Sequence, residues 1–267
     1  HAGASAMSSR IGMQPVSASD VPSKAGGEIP RPLEKDEIMH IVKKYGEAAK
    51  RAQICGFDAV EIHAGHSYLI SQFLSPTTNK RTDEFGGSAE NRARFAKLVI
   101  EEVRKQVGPF FPIFVRISAD EMVEGGNTLE DTLEYLQYFE KEVDVFDVSC
   151  GLNGSIQYQI DANYLPDGWR SYMAKAVKEK YPDVKFIVEL YDVSIYRDYI
   201  FRGGFDYLYD KVNLYDRLRG IMCSNVSAAQ ITQCWQTVDG IGNHMLNFLE
   251  NHDEQRIASR VFAGNAQ

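Results

Sequence analysis

Short apolar runs recur near residues 57, 112, 143, 184, 205 and 244, and most intervals between them carry the three-to-four-residue apolar spacing of a helix. This alternation constrains the fold more than any other feature. Strands joined through helices run parallel, because the crossover returns the chain to the same edge of the sheet, so the pattern reads as successive βαβ units. At 267 residues the chain has the length of a (β/α)8 barrel, about 250 residues, and can bury a sizeable core. The runs, with a stub at His1, give six or seven strands where a closed barrel needs eight. The expected fold is therefore α/β, a TIM-type (β/α) barrel that is incomplete.

Periodicity places helices over 33–54, 89–107, 128–142, 167–181, 194–201, 210–221 and 227–238, and strands over 57–63, 112–118, 143–149, 184–190, 205–209 and 244–249. Residues 5–32 and 151–166 read as long polar loops, a length that in compact domains usually serves function. The net charge of −8 argues against a nucleic-acid or anionic-membrane partner, either of which needs clustered Lys and Arg. A small molecule is the expected partner. Cys55, Cys150, Cys223 and Cys234 show no CxxC spacing, so buried thiols in a reducing cytosol are expected, with no metal site. No apolar run approaches the ~18 residues that span a bilayer, and with reduced thiols a cytoplasmic location is expected.

The densest chemistry lies in FDAVEIHAGHSYLISQFLSPTTNKRTDEFGGSAENRARF, residues 57–95. Alternation sets Val60 and Ile62 on one strand face and Glu61 and His63 on the other, so His63, His66 and Tyr68 emerge where the strand ends. An apolar turn follows, then the charged run Lys80 to Glu84, the break at Gly86-Gly87 and an N-cap at Ser88. Taken alone, two histidines three apart fit a hydrogen-bonded structural pair or a metal corner. On the next expected strand, PIFVRIS, Arg116 is the single cation. On the one after it, Val143, Val145, Asp147 and Ser149 share a face, with Asp147 a hydrogen-bonded strand-end acid.

This order of residues resembles the fourth strand and following loop of the old yellow enzyme family of flavin-dependent ene reductases, in its enoate and dienoyl reductase branch. The resemblance covers residues 1–187, the family's strands three to six. It implies FMN as cofactor, NAD(P)H as reductant and an enone or enoate as substrate. His63 and His66 would donate hydrogen bonds to the substrate carbonyl, Tyr68 would protonate the α-carbon, and Arg116 would face the flavin. The family holds the flavin phosphate on loops after its seventh and eighth strands, which lie outside the resemblance, so FMN binding is expected to be weak or absent. His1-Ala2-Gly3 resembles the close of the third strand, and an amino-terminally truncated piece is expected.

From Glu189 onward the stretches VELYDVSIYRDYI, GGFDYLYDKVNLYD and HMLNFLENHDEQR resemble the fifth to seventh strand regions of the alpha-amylase family of glycoside hydrolases. That resemblance implies an alpha-glucan substrate, Glu189 as general acid/base, Asp253 as stabiliser of the transition state and His252 as a sugar contact. The nucleophilic carboxylate that retention also requires would sit on the displaced preceding strand. Read without the resemblance, Asp253 is an N-cap or loop acid and Glu189 a surface strand residue. The two resemblances together describe a chimera of residues 1–187 and 188–267 packed as one domain. Its alternatives to a reductase are a glycoside hydrolase fragment or a non-catalytic barrel.

Overall fold

The computed structural model describes residues 1–24, 27–160, 164–166, 168–224 and 226–248. The chain divides into two compact units, His1–Val184 and Lys185–Gln267.

In the first unit three strands, β1 (Val60–His63), β2 (Ile113–Ser118) and β3 (Val145–Ser149), pair in parallel in chain order. The helices α1 (Lys35–Ile54), α2 (Leu69–Leu74), α3 (Ala89–Val107), α4 (Leu129–Leu136) and α5 (Ser171–Lys180) connect and flank them. Register aligns Ile62 with Val115 and Val115 with Phe146. Parallel partners in register share a face, and these three form its buried side, exposed by 4% at most. The buried stripes of α1 (Ile38, Val42, Ala49) and α3 (Phe95, Val99, Val103) complete the core.

Local signals fix the helix ends. The carboxylate of Glu37 accepts the Glu34 amide in a capping box on α1, and Ser88 Oγ accepts the Asn91 amide at 3.3 Å on α3. Ser88→Ala is expected to cost about 1 kcal/mol, read as a small fall in the thermal midpoint; an unchanged midpoint would show the cap to be idle.

Two helical stretches of the first unit differ from expectation. The stretch read as an apolar turn is α2, whose six residues are all buried. A helix without a polar face carries no amphipathic stripe and gives periodicity nothing to detect. The helix expected over 128–142 stops at Leu136, because Phe139 and Val143 donate to carbonyls three residues back and tighten the chain until Phe139 turns into the core.

The long amino-terminal loop holds a short helix, Ser8–Ile11, and a two-residue parallel pairing of Val16–Ser17 with Arg31–Pro32. Arg81 fastens it by donating to the carbonyls of Ala18 and Leu33 at 3.0 and 2.8 Å.

In the second unit β4 (Lys185–Glu189), β5 (Tyr207–Tyr209) and β6 (Met245–Leu246) are again parallel and in chain order. Its helices are α6 (Tyr196–Phe201), α7 (Asp216–Cys223) and α8 (Gln230–Thr237), and its core is formed by Leu190, Tyr196, Ile200, Leu208, Val238 and Ile241, to which α7 contributes no buried residue. Arg202 and Gly203 donate to the Asp198 carbonyl and Gly204 adopts a φ of 72°, so the Gly-Gly pair closes α6. The single helix expected over 210–221 begins instead as a π-helical turn, Lys211–Tyr215. The last strand is short, and residue 249 of its expected span lies outside the described residues.

All four cysteines are free thiols. Cys150 and Cys234 are buried as expected, Cys223 is partly buried, and Cys55 is exposed just past the end of α1. Among the described residues no helix is long and apolar enough to cross a membrane.

Candidate active site

The site grows out of strand register. His63 pairs with Arg116 and Arg116 with Asp147, so the three side chains stand in a row on the face opposite the buried one. Arg116 Nε lies 3.2 Å from Asp147 Oδ2, with about a quarter of each side chain exposed (23% and 28%). Opposite charges at registered positions of neighbouring strands attract each other, and this pair draws the guanidinium toward Asp147.

Beyond His63 the chain makes one more ladder bond, Ala64 N to the Arg116 carbonyl at 2.8 Å, and then turns. At Gly65 a Cβ would come within 2.9 Å of Ser118 Oγ and 3.0 Å of its amide nitrogen. Only glycine lets the chain pass so close to the end of β2. His66 and Ser67 follow with φ of 57° and 62°, a left-handed pair that costs roughly 1–2 kcal/mol per residue without glycine. Hydrogen bonds hold it. The His66 amide donates to Ser118 Oγ at 3.0 Å, the Ser67 amide to Ser71 Oγ at 3.3 Å, and Gln72 Nε2 to the Ser67 carbonyl at 2.6 Å.

The turn brings the predicted residues together. The His63 and His66 rings meet edge-on with centroids 5.1 Å apart, and Tyr68 lies 5.0 Å from His63. Gly65 N–H donates to His63 Nδ1 at 3.2 Å, so a neutral His63 carries its proton on Nε2. His66 is buried, and burial, then the charges of Arg116, His63 and Arg170, push its pKa down to about 3. It is uncharged at neutral pH. Its Nε2 lies 2.7 Å from Ser149 Oγ at the end of β3.

A second titratable group, which sequence reading missed, sits beneath the loops. Glu121 is 2% exposed, and its carboxylate accepts from Ser75 Oγ (2.7 Å), Asn127 N (2.9 Å) and Asn127 Nδ2 (3.0 Å). Burial outweighs those bonds and raises its pKa to about 7. It ties the loop after β2 to the loop after α2.

Of the glycosidase-like residues, Glu189 ends β4 and accepts from Tyr191 Oη at 2.9 Å. His252 and Asp253 lie outside the described residues.

FMN is the cofactor the resemblance implies. A cation at the strand ends beside two imidazoles, of which the buried His66 is uncharged, fits the ring end of that molecule and a carbonyl compound set against it. These residues are Arg116, His63 and His66.

An NADH oxidase of Thermoanaerobacter brockii is 43% identical over 169 residues, 63% of this chain and 26% of that protein. An NADPH dehydrogenase of Clostridium acetobutylicum is 44% identical over 139 residues, 52% of this chain and 41% of that protein. The chain thus spans well under half the length of these relatives. The old yellow enzyme homologue from Zymomonas mobilis superposes with a TM-score of 0.64 at 24% identity, over 78% of this chain and 60% of that one. At that identity the likeness speaks to fold, an incomplete (β/α) barrel of parallel strands. None of these likenesses supports the alpha-amylase resemblance of residues 189–267. The profile of the NADH:flavin oxidoreductase / NADH oxidase family matches residues 1–187, the stretch that carries His63, His66, Tyr68 and Arg116, and the chain belongs to that family.

Proposed function

We propose that the chain carries the substrate-facing part of an FMN-dependent NAD(P)H oxidoreductase that reduces the alkene of an enone or enoate. The observation that carries this reading is the His63–His66 pair, 5.1 Å apart by ring centroids, at strand ends beside Arg116. His63 offers Nε2–H and His66 a buried neutral ring, so both can hydrogen-bond a carbonyl oxygen without competing for a proton. Tyr68 packs against His63 and would give the proton to the α-carbon. Arg116, paired with Asp147, would present positive charge to the ring. Bound FMN, reduced by NAD(P)H, would supply the hydride.

FMN binding by this chain is weak in this reading, because the family match ends at residue 187, ahead of the segments with which the family holds the phosphate. Stoichiometric flavin retained through gel filtration would refute that. The reaction itself is tested with excess FMN and NADPH. Enone consumption above the protein-free background should fall about 100-fold in the His63→Ala, His66→Ala double variant, and equal rates would remove the assignment.

We also propose that residues 1–187 and 188–267 differ in descent. The family match ends at residue 187 and the boundary between compact units falls after Val184.

A further inference from the structure

We infer that Ser149 is a positioning residue that sets the tautomer of His66, donating its hydroxyl proton to Nε2 so that Nδ1 carries the hydrogen offered to a ligand. The inference rests on the reading of His66 as a carbonyl donor only for its use; the hydrogen placement stands on geometry alone.

The two residues are 5% and 4% exposed, and Ser149 Oγ lies 2.7 Å from His66 Nε2. The bond runs in one of two directions. If Nε2–H donated, the Ser149 hydroxyl would need another acceptor. Its hydroxyl makes no other hydrogen bond among the described residues, and its backbone carbonyl is taken by the Ala119 amide. A buried hydroxyl hydrogen would then point at nothing, at the cost of its desolvation. With Ser149 donating, both groups are satisfied and the ring hydrogen is left on Nδ1.

Nδ1 is the right atom for a ligand. It takes no partner among the described residues, and it is not one of the sealed, unpartnered polar atoms, so solvent reaches it. The backbone that carries the ring is fixed as well. Ser118 Oγ accepts the His66 amide at 3.0 Å, and Ser118 and Ser149 are register partners across β2 and β3. One serine holds the backbone of His66 and its neighbour holds the ring. The two histidines therefore present hydrogens from opposite ring atoms, Nε2 of His63 through Gly65 and Nδ1 of His66 through Ser149, as a mirrored pair.

The test is nitrogen NMR on the flavin-free chain with 15N-labelled histidine at pH 7, with the His66 signals assigned by their loss in His66→Asn. The wild-type chain should show the directly bonded proton of His66 on Nδ1. Ser149→Ala should lose that correlation and show it on Nε2, while Ser149→Thr, which keeps the hydroxyl, should restore Nδ1–H. His63 should stay on Nε2 in all three. A wild-type Nε2–H signal for His66 would overturn the inference, as would an Nδ1–H signal that survives in Ser149→Ala. Should Ser149→Ala not fold, the wild-type and Ser149→Thr spectra still decide it. Because no flavin or substrate is present, failure here is separate from failure of the proposed activity.

Discussion

Gly86→Ala is expected to lower the unfolding free energy of the first unit by about 3 kcal/mol, near the top of the usual overpacking range, whereas Gly87→Ala should cost only about 1–2 kcal/mol. The neighbours are glycines for different reasons. A Cβ on Gly86 would overlap the backbone of Arg81, its carbonyl oxygen and, at 2.6 Å, its carbonyl carbon. Arg81 cannot give way cheaply, since its guanidinium is bonded to Ala18, Leu33 and Asp83 at once. Gly87 has open space around it but a φ of 83°, so a side chain there pays only for the left-handed backbone. Urea unfolding of the two variants gives the order, and a Gly87 variant at least as destabilised as the Gly86 variant would contradict the packing described for this turn.

The second large effect is on pH dependence, where two buried groups oppose each other. His66 falls from an ordinary 6.5 to about 3. The unfolded chain takes up its proton first, so stability present above pH 6.5 is lost as pH drops from 6.5 toward 3. Glu121 rises from 4.5 to about 7. Its contribution is complete below 4.5 and is lost as pH climbs from 4.5 through 7. Each changes stability by about 1.4 kcal/mol per pH unit inside its window, so between pH 4.5 and 6.5 the two nearly cancel.

The groups facing them are fixed in kind. Arg116, His63 and Arg170 face His66, while Ser75, Asn127 and Arg92 face Glu121. Glu121→Gln, which mimics the protonated acid, should gain about 3 kcal/mol on the wild type between pH 4 and pH 8. His66→Asn should gain a similar amount on it between pH 7 and pH 4. Parallel stability curves for wild type and either variant would rule out the corresponding shift.

The sequence made some of this legible, and the reasons are local. Both ends of α3 match the expected 89–107 because Ser88 and Gly108 act within one turn of the helix. The common face of His63, Arg116, Asp147 and Ser149 follows from alternation within each strand. Alternation cannot say which residue of one strand lies opposite which of the next, so the Arg116–Asp147 pair could not be read. The left-handed turn at His66 and Ser67 was invisible too, since neither residue type announces a positive φ, and without it His66 cannot return over Ser149. Glu121 escaped because its burial depends on Ser75, 46 positions away. The α2 helix escaped for the opposite reason, an apolar run too uniform to show a period.

The row His63–Arg116–Asp147 is aligned by backbone ladders, and that decides what kind of change the site can survive. Substitution at its members alters charge or reach by degrees. A change of length inside β2 does not, because one added or deleted residue exchanges the two faces of the strand. Arg116 would then enter the apolar layer, and Val115 or Ile117 would stand between His63 and Asp147. Tinkering by substitution is thus analogue here and tinkering by length is binary. Over generations, insertions and deletions should accumulate in the connecting loops, while the count of residues from Ile113 to Arg116 stays as it is.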